Sequence, residues 1–197
     1  MSLAARPPSE DDRQRLLDWR NDERVRSMSV DSSPIDQAKH DAWFDRLLAQ
    51  RSDEFLVVSW ADEPVGVVQL EAMERDQLRC SWGCHLGSTA VPPGLGATLP
   101  IIGLGFGFDG HGMRRMYAQV LTSNRNMLGM HRRLKIPQEG QLRDHELRPD
   151  GQTVSVNLYG VQRHEWAEIR QQATALLPSA IGSSLNNLLD SFAPRAD

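Results

Sequence analysis

The chain has 197 residues, 22 Lys and Arg against 26 Asp and Glu, and a formal net charge of -4. That length supports a single domain with a substantial core, and the near balance of charge argues against a nucleic-acid-binding domain, which carries a basic excess. The longest apolar run, Ala97 to Phe108, is interrupted by Pro100 and three glycines and is too short to cross a bilayer. The first residues lack the apolar stretch of a signal peptide, so a soluble cytoplasmic protein is expected.

In chain order, Leu3 to Arg6 reads as a short strand ended by Pro7-Pro8. Ser9-Glu10-Asp11-Asp12 is a capped helix start with acids in the first turn, and Leu16, Leu17 and Trp19 supply that helix with apolar surface. The charged run Trp19 to Arg26 is either a solvated helix end or a polar pocket lined by Arg20, Asn21 and Arg26. Ser33 and Pro34 carry the cap and first-turn signature of a second helix. On it, His40, Trp43, Phe44 and Leu47 share one face, a pattern that fits a core stripe with one tolerated histidine.

Phe55 to Trp60 and Val65 to Glu71 are β-rich runs joined by Asp62-Glu63-Pro64, hence a hairpin. Leu78 to Leu86 is the next strand, with Ser81, Gly83 and His85 on one face and Cys80, Trp82, Cys84 and Leu86 on the other. The two cysteines are too far apart along a straight strand to bridge. With no second Cys/His pair resembling a ligand set, buried thiols are expected and no metal site. Gly83 inside a strand suggests a bulge or a close backbone approach.

Val91-Pro92-Pro93-Gly94-Leu95-Gly96-Ala97 then joins this strand to a segment predicted helical from Thr98 to Asp109, in spite of Gly103, Gly105 and Gly107. A Gly-rich turn opening a helix offers outward N–H groups to a phosphate or pyrophosphate, although Pro-Pro-Gly is also ordinary loop punctuation. A strand is predicted over Met116 to Leu121 and a helix capped by Asn124 runs to Leu134. Strands over Gln138–Leu147 and Thr153–Tyr159 flank a Pro149-Asp150-Gly151 turn. An amphipathic helix from Glu165 and a further one over Leu185–Leu189 close the chain.

This order resembles the GNAT superfamily of acyl-CoA-dependent acetyltransferases from about Leu3 to Trp166. Gly94 and Gly96 match the family loop, while Val91 stands where Gln or Arg is usual. Trp19-Arg20-Asn21 with Val25-Arg26, Ile35…His40…Trp43-Phe44, Trp82-Gly83, and Val120…Asn124…His131…Leu134…Glu139-Gly140…Leu142-Arg143 are together similar to the sugar-nucleotide N-acetyltransferases of the pseudaminic acid pathway. They also overlap with acetyltransferases of the ribosomal-protein type.

The resemblance implies an α+β fold: a GNAT domain over residues 1–166, with a mostly antiparallel six- to seven-stranded sheet flanked by helices. A helical C-terminal extension follows over 167–197. It implies acetyl-CoA as co-substrate, its pyrophosphate at residues Val91, Gly94, Leu95, Gly96 and Ala97. Its pantetheine arm would lie along Trp82, Cys84 and Leu86, with Asn124 beside it.

Transfer to a primary amine needs a neutral amine, a donor for the oxyanion and a proton for the leaving thiolate. His131, where relatives often carry a Tyr, is the candidate acid; His85 and then Glu71 are the candidate bases, with a water chain as their substitute. Arg20, Asn21, Arg26, His40 and Trp43 are the substrate-side candidates, since Arg pairs a diphosphate and Trp stacks a uracil.

The expected acceptor is the amine of a UDP-linked amino sugar. A peptide N-terminus or small amine is the alternative, as is an altered GNAT that binds acyl-CoA without turnover. The apolar C-terminal extension is open to three roles, an interface, a helical lid or a simple cap on the sheet, and a homodimer is a candidate assembly. No nucleic-acid or membrane partner is expected.

Overall fold

The computed structural model describes residues 1–49, 54–148 and 150–193. Its elements are β1 (Leu3–Arg6), α1 (Arg13–Asn21), α2 (Glu23–Arg26), α3 (Gln37–Ala49), β2 (Phe55–Trp60), β3 (Glu63–Glu74), β4 (Arg79–Leu86), α4 (Thr98–Gly105), β5 (Arg115–Leu121), α5 (Arg125–Arg133), β6 (Gln138–Leu147), β7 (Thr153–Gln162), α6 (Trp166–Leu176) and α7 (Ser179–Asp190). They form an α+β domain around one seven-stranded sheet in the order β1-β2-β3-β4-β5-β7-β6.

All neighbouring strands are antiparallel except β4 and β5. That parallel pair is short. It joins Arg79, Cys80 and Ser81 to Arg115, Met116 and Tyr117 and goes no further. Past Ser81 the two strands diverge and the sheet opens into two arms, β1 to β4 and β5-β7-β6.

Period-two alternation decides what covers each face. Phe55, Val57 and Val67 turn towards α1 and α3 and pack with Leu16, Phe44 and Leu47. Leu56, Val58, Val68, Leu70, Cys80 and Trp82 turn the other way, towards α4, α6 and α7. Every residue of α4 is buried. Three of its neighbours come within contact of its glycines: Trp82 at Gly103, Leu189 at Gly105 and Met116 at the following Gly107. The missing side chains are what let these elements approach, which offsets the helix-propensity cost of about 1 kcal/mol per glycine.

The segment predicted helical to Asp109 changes character at Phe106. Phe106–Gly110 winds as a π-helical turn, with His111 N–H reaching Phe106 O at 3.1 Å. The predicted start of α3 is also displaced. Ser33 and Pro34 lie before the helix, and Asp36 is its cap, its carboxylate accepting from Lys39 N–H at 2.7 Å. Gly83 does not sit in a bulge against β3: it pairs regularly with Gln69, and the register shifts in that strand pair fall between Glu71 and Glu74.

Helices α6 and α7 belong to the same core as the sheet. Ile181, Leu185, Leu188 and Leu189 pack with Trp166, Ile169 and the α4 residues. Ser184 Oγ accepts from Leu3 N–H at 2.6 Å, tying α7 to β1. Of the roles left open for this extension, a cap over α4 and the edge of the sheet is the one its packing describes. Pro149 of the predicted turn lies outside the described residues; Gly151 takes the left-handed conformation there, with φ 81°.

Candidate active site

The divergence of β4 and β5 makes a cleft of about 1210 Å³ that reaches both faces of the sheet. Its walls at the gap are Trp82, Gly83, Cys84, His85 and Leu86 from one strand, and Tyr117, Ala118, Gln119 and Val120 from the other. On the α5 side it is bounded by Asn124, Met127 and His131, and on the α1–α3 side by Arg20, Arg24, Met28–Asp31, His40 and Trp43.

Beyond Ser81 the β5-facing edge of β4 pairs with no strand among the described residues, which leaves its peptide groups open to an extended ligand. Only the strand's end is claimed: Arg24 donates to Leu86 O at 2.9 Å and to Gly87 O at 2.8 Å. Cys84 borders the gap and Cys80 is fully buried. Burial pushes their thiols up, to about 12 and about 11, so neither is a thiolate near neutral pH.

Directly after β4, Gly94 adopts φ 91° with Pro178 packed against it, and the turn leads into α4. The amides of Leu95 and Ala97 bond back to Pro92 O (3.2 Å) and Gly94 O (3.1 Å). Pro92 and Pro93 have no N–H. The amides that remain for a diphosphate, among the described residues, are those of Val91, Gly94 and Gly96, and Gly96 is the one of these residues that borders the cleft. A free strand edge and unclaimed glycine amides at the entry to a buried helix fit the pantetheine and pyrophosphate of an acyl-CoA.

Two neutral histidines stand in the cleft. His85 faces the α1–α3 side; its Nε2 is buried without a hydrogen-bond partner. Burial, and then the charges of Arg20 and Arg24, push its pKa down to about 4. His131 is 1% exposed, with its ring 4.3 Å edge-on from Tyr159 and 6.3 Å from Trp82. Its Nδ1 has no partner and burial lowers its pKa to about 4. In the free protein it is therefore a neutral imidazole near pH 7 rather than an imidazolium.

Glu71 shares the His85 face and receives a hydrogen bond from Gln69. Burial raises its pKa, although the residue stands at the rim, where water screens much of the effect. Asn124 caps α5, its Oδ1 accepting from Met127 N–H at 3.1 Å.

The substrate-side candidates divide. Arg20 donates through Nη2 to Asp31 O at 2.6 Å, while its Nη1 is buried with no partner, and burial lowers its pKa. Trp43 borders the cleft and stands edge-on to Phe55, with ring centroids 5.7 Å apart. His40 is 3% exposed and its Nε2 is 2.8 Å from Arg13 O, so it also ties α3 to α1. Asn21 and Arg26 do not line the cleft. Asn21 holds both backbone groups of Ile35 at 2.8 Å, and Arg26 bonds Ser32 O and Glu23. Arg24, Gln69 and Tyr117 are cleft residues that sequence reasoning did not single out; the alternation of β3 carried a usable signal only for Gln69, two positions from Glu71.

Among the described residues no group of His, Cys, Asp and Glu side chains is placed to hold a metal ion, and no helix is long and apolar enough to cross a membrane.

Residues 2–136 match the family model described as an acetyltransferase (GNAT) domain. No curated protein matches the chain in sequence. Among solved structures, the spermidine N-acetyltransferase of Vibrio cholerae in complex with CoA and spermine is similar in fold. Its TM-score is 0.76 at 15% identity, over 84% of this chain and 98% of that one. An N-acetyltransferase of Staphylococcus aureus Mu50 gives 0.68 at 17% identity, over 83% and 99%. The splayed parallel strands, the glycine turn and the matching family model agree: the chain belongs to the GNAT acetyltransferase family, as an N-acetyltransferase that uses acetyl-CoA.

Proposed function

We propose that the acceptor is a primary amine on a molecule that also carries negative charge, a UDP-linked amino sugar. The observation that carries this reading is Arg20: a buried guanidinium nitrogen at the cleft wall with no hydrogen-bond partner among the described residues. A desolvated donor of this kind costs free energy until an acceptor group reaches it, and a phosphate oxygen is a strong match for a guanidinium. Lys39 and Arg46 stand along the same wall, and Trp43 offers a ring face for a flat base.

In this reading the acceptor enters from the α1–α3 side. Acetyl-CoA, when bound, supplies the activated acetyl thioester. His85 Nε2, neutral and unpartnered, takes the proton as the amine attacks; Glu71 is placed one strand away as the alternative base. On the opposite side neutral His131 donates a ring N–H hydrogen bond to the sulfur of the leaving thiolate and keeps its proton; the thiolate is protonated from solvent, and His85 releases to solvent the proton it took from the amine. The barrier lowering asked of one such proton transfer is about 3 to 5 kcal/mol. Residues 1–166 would hold both substrates, while Leu177 and Pro178 of the following helical segment pack against Gly94 and steady the glycine turn.

Asp31, Glu54 and Glu71 line the same cleft, which favours a polyamine as the second reading, in keeping with the spermine-bound neighbour. A thiol-release screen with acetyl-CoA against UDP-amino sugars, spermidine and short peptides decides between them. Turnover of spermidine with none on any UDP-amino sugar rejects the first reading. Binding of acetyl-CoA by calorimetry with no thiol release from any acceptor rejects both.

A further inference from the structure

Four consecutive carbonyls after α2 are held by arginines. Arg148 Nη1 donates to Ser29 O (3.0 Å) and Val30 O (3.2 Å), Arg20 to Asp31 O (2.6 Å) and Arg26 to Ser32 O (3.0 Å). Met28, Ser29, Val30 and Asp31 form part of the cleft wall, and Met28 and Val30 are exposed apolar side chains. Two of the three donors belong to the arm that carries this segment. Arg20 is on α1 and Arg26 on α2, and α2 is bound to the end of β4 through Arg24.

Arg148 comes from the other arm. It follows β6, whose partner β7 pairs with β5. At the C-terminal end of β5, Leu121 faces Val156, and β7 continues to Thr153 opposite Leu147. Arg148, one residue past β6, therefore stands at the end at which β4 and β5 have separated. Among the described residues the two arms pair as strands at Arg79–Ser81, with Arg114 and Arg115 N–H also on Leu78 O at that closed end, and Arg148 closes the ring at the open end. Its own backbone is anchored: Arg148 N–H bonds Gln152 O at 2.8 Å and Gly151 N–H bonds Arg148 O at 2.9 Å. Its Nη2 is buried without a partner.

We propose that Arg148 is a positioning residue that ties the two arms at the mouth of the cleft, fixes the shape of Met28–Asp31 and so sets which amines are admitted. It touches no reacting atom. The tie itself stands independently of the acceptor; its effect on selection rests on the reading that the acceptor enters past this segment.

Two measurements on Arg148→Ala and Arg148→Lys test it. Hydrogen exchange followed by mass spectrometry reads the tie without any substrate. Peptides covering residues 28–33 are expected to exchange about tenfold faster in the alanine variant while β5 and α5 are unchanged, since losing a local restraint opens only its own segment. Lysine, a point donor without the planar fork, restores little of this protection. Unchanged exchange at 28–33, or faster exchange across the whole sheet, overturns the tie. If the alanine variant does not fold, the lysine variant carries the same comparison.

Thiol release with UDP-glucosamine as acceptor then reads selection. A KM for the acceptor raised about fivefold, with kcat and the calorimetric affinity for acetyl-CoA unchanged, is the signature of lost acceptor positioning. A lowered kcat at constant KM overturns the selecting role. If the wild-type protein turns over none of the screened acceptors, the acceptor reading has failed, and the exchange result alone decides the tie.

Discussion

Burial of His131 makes the protein sensitive to mild acid, and the size of the effect follows from the site. The ring is 1% exposed, has no partner at Nδ1 and has its pKa lowered from 6.5 to about 4. The unfolded chain therefore takes up this proton first as pH falls. Stability from the neutral ring is complete above the unfolded value, declines as pH drops through the window from 6.5 to about 4, and is level below it. From about pH 7.5 to about pH 5.5 the loss assigned to His131 is about 1.3 kcal/mol. Urea unfolding of wild type and His131→Leu at both pH values isolates it, because contributions common to both proteins cancel in the difference. The variant should lose about 1.3 kcal/mol less than wild type over that interval. Equal losses would mean that the ring is charged, or freely hydrated, in the folded protein, and the description of His131 as a neutral donor to the leaving group would fall with it.

Three other outcomes are expected. His85→Ala should lower kcat/KM about 100-fold, with the deficit shrinking at alkaline pH, where the amine arrives already neutral; a pH-independent deficit would point to a packing role instead. Arg20→Ala should raise the acceptor KM about tenfold while leaving acetyl-CoA affinity by calorimetry unchanged; equal weakening of both ligands would remove Arg20 from the acceptor side. Gly87→Ala would drive a methyl group into the Trp19 ring, costing about 2 kcal/mol of stability. An unchanged Tm would show that α1 is free to move away from the end of β4.

Where local chemistry decides the structure, the sequence was readable. Gln138–Leu147 was predicted as a strand and forms β6 with those bounds, and Asn124 caps α5 as its side chain suggests. Alternation along β4 puts His85 and Cys84 on opposite faces, as their partners Val67 and Val68 confirm by packing on opposite sides of the sheet. The start of α3 departs from its local signature because a distant side chain overrides it: Asn21 grips the N–H and C=O of Ile35, holding Ser33-Pro34 outside the helix and leaving the capping to Asp36.

The same kind of action at a distance hid parts of the site. Arg24 and Arg148 act through contacts 62 and 119 positions away in the chain, and nothing in their own neighbourhoods marks them. Asn21, grouped with Arg20 by adjacency, points elsewhere. Adjacent helix positions face about 100° apart, so proximity in sequence is a poor guide to a shared pocket.

Helix α4 has no side left over. Strand side chains, the C-terminal helices and β5 occupy its surroundings, and the glycines through which they lean on it leave no slack for rotation or sliding. In the proposed reading the nucleotide end of the coenzyme would be received on a fixed post, while the amine would meet a rim of main chain held by guanidinium groups. Altering acceptor preference by mutation belongs on that rim, around Met28–Asp31 and Arg148. On the same reading, change inside the post would disturb the packing that supports the glycine turn before it altered the choice of amine.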